Sequence, residues 1–202
     1  MLVRVVVGLV VAATIHEYAH AYVADRLGDP TPRSQGRLTL NPLAHLDPIG
    51  SLLILVFGIG YAKPVQINPA NFADWRRGTL VVAASGPLAN VTLALLLGVP
   101  YKVGLLEFGS ADPSLRAIEG VILQLIHINA VFAIFNLLPI PPLDGSKILV
   151  GLLPPAPAIA YARLQPYGVL VLLLLIMTPI SRVLLEAPIT WLVQEAIGRI
   201  IL

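Results

Sequence analysis

The chain has 202 residues, of which 57% are hydrophobic and only 12% are charged. Its mean hydropathy is +0.85, and soluble domains usually carry about 25% charged residues, so the composition predicts a membrane protein. The formal net charge of +2 is too small to indicate nucleic-acid binding, and the absence of cysteine excludes disulfides and thiolate metal sites. Any metal must therefore be held by His, Asp and Glu.

Four segments are long and apolar enough to cross a membrane, which takes about 20 residues. They are predicted at 2–24, 79–99, 117–138 and 164–181. The first segment is expected to be retained rather than cleaved as a signal peptide, because its centre is polar and Arg26 follows it. The last stretch, 183–202, contains Glu186, Glu195 and Arg199, and is predicted to be either a poor span or a helix at the membrane interface.

Between the first two spans lies a proline-rich region around the apolar run 50–60, which is too short to cross. A re-entrant or membrane-embedded segment is predicted there, since irregular backbone at membrane depth needs cover from other protein. The stretches 37–40 and 64–67 alternate loosely and predict small β elements. The fold class is thus an all-α polytopic membrane protein with about four to five spans. It forms a single domain over 1–202, with a core at 1–155 and C-terminal helices at 156–202.

Basic residues are distributed unevenly between the two sides of this topology. If the first span runs inward, the inner side collects eight Lys and Arg residues, and the outer loop has only Lys102 and Arg116. The positive-inside rule then places the amino terminus outside and the basic loops in the cytoplasm of a prokaryotic cell. Arg4 is the exception.

The first predicted span contains the pattern His-Glu-Tyr-Ala-His at residues 16–20. An ionisable residue at mid-bilayer costs roughly 2.5–3.5 kcal/mol on insertion scales, so three within five residues indicate a function. His16 and His20 lie one helical turn apart, and both imidazoles can bind one zinc ion. Glu17 is placed to act as general base, as in H-E-x-x-H peptidases. The structural alternative requires three buried polar groups that are satisfied without metal.

A catalytic zinc site needs a third protein ligand. Asp144 is the first candidate, because it follows the third span in a stretch broken by prolines; the alternative is that Asp144 caps the next helix. His45 and Asp47 are rival ligands, although turns and caps explain them equally well. His127 is expected to hydrogen-bond either a metal ligand or a neighbouring helix, rather than to bind metal itself. Two asparagines complete the candidates, Asn136 as an oxyanion or substrate contact and Asn90 as a packing group.

Three stretches together resemble the site-2 protease family of zinc-dependent intramembrane metalloproteases. They are HEYAH in the first span, SGPLAN in the second and NLLPIPPLDG after the third. The resemblance implies one zinc ion per chain on His16, His20 and Asp144, with Glu17 as general base and Asn136 as a contact for substrate or oxyanion. The stretches GRLTLNPLAHLDPIG and AKPV resemble a compact bacterial and archaeal branch, so no PDZ domain is expected.

The expected function is zinc-dependent hydrolysis of peptide bonds within or near the transmembrane segments of membrane-protein substrates. Such a substrate helix must unwind, so we expect the protease to prefer helices containing Gly, Pro or Asn, with 37–40 or 64–67 offering an edge for the extended strand. Two rivals stay open, a metal-binding membrane transporter and a catalytically silent scaffold. A transporter would predict inverted repeats, and the sequence shows none.

Overall fold

The computed structural model describes residues 2–50, 62–180 and 182–201. This part of the chain is helical and holds no β-sheet. The α-helices with both ends in the described chain before residue 178 are α1 (Leu2–Arg26), α2 (Thr31–Ser34), α3 (Trp75–Lys102), α4 (Pro113–Leu137), α5 (Asp144–Leu152), α6 (Pro155–Ala162) and α7 (Gly168–Met177). Residues 48–50 are also helical. By length and composition, α1, α3, α4 and the α6–α7 region can each cross a membrane. The chain is an integral membrane protein of the all-α polytopic class.

Helices α3 and α4 begin four residues before their predicted spans, because capping residues set their ends. The Asp74 carboxylate accepts hydrogen bonds from the backbone N–H groups of Arg76 and Arg77 and starts α3 at Trp75. Asp112 does the same for α4, where Pro113 occupies the first position. An apolar run marks only the part of a helix that meets lipid, so hydropathy alone misses these capped first turns.

Helices α1, α3 and α4 pack against one another through small side chains. Ala12, Ala94 and Ala130 are fully buried at these contacts. A Cβ on Gly8 of α1 would clash with the Ile128 side chain of α4, so the glycine permits their close approach. Small residues at helix contacts are typical of membrane bundles, where van der Waals packing replaces the hydrophobic effect. Large aliphatic side chains on the outer faces stay exposed, as expected for contact with lipid.

The polar loop between α1 and α3 is tied together on both sides of residues 51–61. Leu46 and Ala62 form an isolated antiparallel bridge, and the buried Arg37 guanidinium donates to the carbonyls of Ala44 and Lys63. The re-entrant segment predicted at 50–60 falls almost entirely outside the described residues. The small β elements predicted at 37–40 and 64–67 are not strands; the bridge is the only β pairing in the described chain.

The fourth span differs from its prediction. Helix α6 starts at Pro155, and after a 3₁₀ turn at Gln165–Tyr167 the chain continues as α7 to Met177. The start predicted at 164 was too late. Proline interrupts a helix interior but is well accommodated in the first turn, and Pro155 is the first residue of α6. The tail from Arg182 to Ile201 is also helical and is not among the candidate spans. Its Leu192 is buried in a cluster with Ala94 and Ala130.

Candidate active site

His16, His20 and Asp144 come together inside the helix bundle. Oδ2 of Asp144 lies 2.8 Å from Nε2 of His16 and 3.0 Å from Nε2 of His20. All three residues are buried, and one candidate ligand atom from each lies within 4.8 Å of the others. Within the part of the chain that the structure describes, this is the one such group of three His, Cys, Asp or Glu side chains. The helical pair and the distant carboxylate thus form one cluster.

The hydrogen bonds on the far side of each imidazole fix its tautomer. Nδ1 of His20 lies 2.7 Å from the carbonyl oxygen of Val82, and Nδ1 of His16 lies 2.7 Å from Oδ1 of Asn90. Both partners are acceptors, so each Nδ1 carries the proton and donates it. In the neutral rings, each Nε2 then presents a lone pair toward Asp144. This is the form in which histidine binds a metal.

The orientation of Asn90 is itself fixed by two neighbouring acceptors. Its Nδ2 donates to the carbonyl oxygen of Ala12 at 2.9 Å and to Oδ1 of Asn129 at 2.8 Å. Nδ2 of Asn129 donates in turn to the carbonyl oxygen of Leu125. Both asparagines are fully buried. This chain of hydrogen bonds runs from the backbone of α4 through α3 to His16 on α1, and leaves Asn90 Oδ1 facing the imidazole.

Zinc fits this cluster for two reasons. Nε2 of each imidazole and Oδ2 of Asp144 converge, with the carboxylate oxygen 2.8 and 3.0 Å from the two nitrogen atoms, so three donor atoms of the kinds that zinc prefers lie together. In addition, helix α3 has a glycine where it faces the histidines. A Cβ at Gly86 would lie 2.6 Å from Nε2 of His16, so any larger residue would fill the space beside the donor atoms. Two histidines and one carboxylate are a known catalytic zinc set, with the remaining position open for water.

Asp144 reaches the histidines because the chain breaks between α4 and α5. The cap position of α5 is Leu143, and Asp144 makes no capping hydrogen bond, so the helix-cap alternative is wrong. A Cβ on Gly145 would overlap the Leu137 carbonyl, which explains the glycine. The break thus places the Asp144 carboxylate next to both imidazoles, as a candidate third ligand.

Glu17 is held by the loop that precedes α3. Its Oε2 accepts a hydrogen bond from the backbone N–H of Val65 at 2.9 Å. Val65, Gln66 and Ile67 also line a cavity of about 270 Å³ that reaches His20 and Asp144. The candidate base is thus fixed to the segment that forms a wall of the cavity.

The remaining polar candidates lie elsewhere. His45 is buried in the loop with Nε2 donating to the Thr39 carbonyl, and Asp47 accepts from the N–H groups of Ile49 and Gly50, so both serve the loop. His127 is exposed on α4 and has no hydrogen-bond partner in the described chain, so the expected helix–helix bond is wrong. Nδ2 of Asn136 donates to the Phe132 carbonyl in its own helix, and its catalytic role stays a prediction.

Sequence reasoning missed three contributors to the site. Asn90 was assigned to packing, Val65 acts through its backbone N–H, and Lys147 entered only a count of charges. Lys147 lies beside Asp144, with Nζ 3.0 Å from Oδ1. Its spacing of three residues from Asp144 on α5 was the available signal, since residues at i and i+3 share a helix face.

The fold is that of a membrane protein, and its site gathers a peptidase-type set of candidate metal ligands, with which comparisons with known proteins agree. Residues 103–178 match the model of peptidase family M50. The chain is 41% identical over 180 residues to "Putative zinc metalloprotease YwhC" of Bacillus subtilis, covering 87% of this chain and 81% of that protein. It is 32% identical over 182 residues to "Putative zinc metalloprotease Rip2" of Mycolicibacterium smegmatis, covering 88% and 68%.

A third relative, "Putative zinc metalloprotease MJ0611" of Methanocaldococcus jannaschii, is 34% identical over 139 residues, covering 66% of this chain and 62% of that protein. No solved structure matches the chain. The chain belongs to peptidase family M50, the site-2 proteases. The resemblance inferred from the three sequence stretches is confirmed.

Proposed function

We propose that the protein is a zinc-dependent intramembrane endopeptidase that hydrolyses peptide bonds within or near the transmembrane segments of other membrane proteins. The observation that carries this proposal is the convergence of His16, His20 and Asp144 in a bundle of apolar helices, with Glu17 following His16 in the sequence. Relatives named as zinc metalloproteases support the metal and the reaction class. One zinc ion per chain would be held by His16, His20 and Asp144.

The metal, when bound, would polarise the scissile carbonyl and make water more acidic. Glu17 takes a proton from the attacking water while the water oxygen bonds to the carbonyl carbon. The C–N bond then breaks, and Glu17 returns the proton to the leaving nitrogen, which gives a carboxylic acid and an amine. The Val65 N–H holds one oxygen of the Glu17 carboxylate during both transfers. Asn136 is proposed as a further contact for substrate or oxyanion.

The substrate helix must lose its internal hydrogen bonds before a peptide bond can enter the cavity. Residues 65–67 line that cavity without belonging to a sheet in the described structure, so their backbone is a candidate partner for an extended substrate. Each Gly in place of Ala weakens a helix interior by roughly 1 kcal/mol, and Pro by about 3. Substrates with helix breakers near the scissile bond are therefore expected to be cleaved faster.

The test uses purified zinc-loaded protein and single-span reporters that carry zero, one or two helix breakers at constant hydrophobic length. We expect one zinc per chain, cleavage within the span, and rates that rise along the series. Asp144→Ala should remove zinc and cleavage together, whereas His45→Ala should keep zinc. A zinc-loaded wild type that cleaves no reporter would contradict the function. Full zinc occupancy in Asp144→Ala would contradict the third ligand.

A further inference from the structure

Lys147 is bound to the oxygen of Asp144 that does not face the histidines. Its Nζ lies 3.0 Å from Oδ1, whereas Oδ2 is the oxygen directed at both Nε2 atoms. The two oxygens of one carboxylate are thus divided between an ammonium and the ligand cluster. Asp144 consequently offers a single oxygen to a metal.

The stability of this ion pair does not explain a lysine at this position. The Asp144 side chain is only 6% exposed, but that of Lys147 is 49% exposed. Ion pairs with a solvated partner contribute little, with a median of about 0–1 kcal/mol. The charge of Lys147 is therefore available to a second partner on its open side.

The open side of Lys147 faces the cavity beside the candidate active site. The cavity walls include His20, Asp144 and the segment Val65–Ile67, together with apolar and small side chains of α3. Among its lining residues in the described chain, Lys147 alone carries a permanent positive charge. A peptide bond that enters this cavity meets an ammonium adjacent to the ligand cluster.

We propose that Lys147 is a catalytic residue that stabilises the oxyanion formed from the scissile carbonyl. As the water oxygen bonds to the carbonyl carbon and Glu17 takes the proton, the electron pair of the C=O double bond moves to its oxygen. The Lys147 ammonium donates a hydrogen bond to that oxygen and keeps its own proton throughout. When the C–N bond breaks, the double bond re-forms and the leaving nitrogen takes the proton from Glu17. This inference rests on the proposed function.

Asn136 is the rival donor for the same oxygen, and the structure favours Lys147. Nδ2 of Asn136 is engaged 2.9 Å from the Phe132 carbonyl of its own helix, and Asn136 does not line the cavity. Lys147 lines the cavity and carries a full charge.

The experiment compares wild type with Lys147→Met, Lys147→Arg and Asn136→Ala. The control is Lys102→Met, which changes an exposed lysine at the C-terminal end of α3. Zinc content, kcat and KM are measured with a reporter. Binding of a phosphinic peptide, whose tetrahedral anionic group mimics the oxyanion, is measured on the zinc-loaded proteins by calorimetry. Loss of one oxyanion donor typically lowers kcat by about 10²–10³-fold. We expect that loss in Lys147→Met with zinc content and KM unchanged.

The phosphinic peptide should bind more weakly to Lys147→Met by a comparable factor, because transition-state analogues report the same contact. Lys147→Arg should recover part of both losses, and Lys102→Met should match wild type. An unchanged kcat, loss of zinc from Lys147→Met, or a fall in kcat only in Asn136→Ala would overturn the proposal. If wild type cleaves no reporter, the proposed function fails, and phosphinic-peptide affinity still tests Lys147: equal affinity in wild type and Lys147→Met would overturn it.

Discussion

Gly86 is the position where α3 comes closest to the two histidines. A Cβ there would lie 2.6 Å from Nε2 of His16 and 2.7 Å from Cε1 of His20, which is too close for any carbon atom. Gly86→Ala should therefore abolish zinc binding, although alanine favours a helix over glycine by about 1 kcal/mol. Zinc content measured by mass spectrometry, with circular dichroism to check folding, tests this prediction.

The matched control is Gly198→Ala, where the nearest atom to an added Cβ is the Val193 carbonyl oxygen at 3.4 Å. That variant should bind zinc like wild type. Full zinc occupancy in Gly86→Ala would mean that the metal does not lie among the Nε2 atoms.

Asn90 is expected to set zinc affinity without touching the metal. It holds the Nδ1 proton of His16 and is itself held by Ala12 and Asn129. Loss of an outer-shell partner of a metal-bound histidine typically lowers metal affinity about 10–100-fold. Asn90→Ala should show that loss in competition with a chelator, and Thr92→Ala on the exposed face of the same helix should not. Equal affinities in both variants would contradict this role.

For single residues, the sequence predicts the candidate metal ligands but not the side chains that hydrogen-bond and orient them. His16, Glu17 and His20 stand in one local pattern, so a helical repeat is enough to place them on adjacent turns. Asn90 contacts His16 only because α1, α3 and α4 pack closely, which no local spacing reveals. A buried asparagine in a span indicates polar packing in general, without naming its partner.

At the scale of elements, the loop before α3 controls the candidate base. The Val65 N–H is the donor to Glu17, and proline has no such donor. A hydrogen bond to a charged group contributes about 1.5–3 kcal/mol, so Val65→Pro should lower kcat/KM by about 10–100-fold while zinc content stays at the wild-type level.

Val65→Ala keeps the N–H and is the control for the side chain. Its kcat/KM should stay close to that of wild type. If both variants lose activity equally, the side chain of Val65 matters and the hydrogen bond to Glu17 does not.

The helices were predictable and the loops were not. Apolar runs located α1, α3 and α4, since lipid selects for length and hydrophobicity. The fourth span was predicted from residue 164, whereas its helical region starts at Pro155. The approach of segment 64–67 to Glu17 depends on contacts between residues 48 positions apart, and loose alternation within the segment suggested a strand instead.

For the molecule as a whole, the site lies at one end of the bundle. The contacts of His20 with Val82 and Asp144 place it near the loops that follow α1 and α4, which carry most of the basic residues. The positive-inside rule then predicts a cytoplasmic site. In a chain without native cysteine, Ser34→Cys should react with a membrane-impermeant maleimide only after the cells are opened.

Ala111→Cys, in the loop between α3 and α4, should react in intact cells. The reverse pattern would invert the topology and place the site on the outer side of the membrane.

The central claim is that the protein hydrolyses peptide bonds with zinc and with Glu17 as the general base. The most direct test measures both zinc content and reporter cleavage in the Glu17→Gln variant. Glutamine keeps the shape of the side chain and an oxygen that can accept from Val65, but it cannot take a proton. General acid–base catalysis typically contributes about 10²–10⁴-fold. We predict full zinc occupancy with cleavage reduced by at least the lower factor. Full zinc occupancy with wild-type turnover would contradict the assignment of Glu17 as the base.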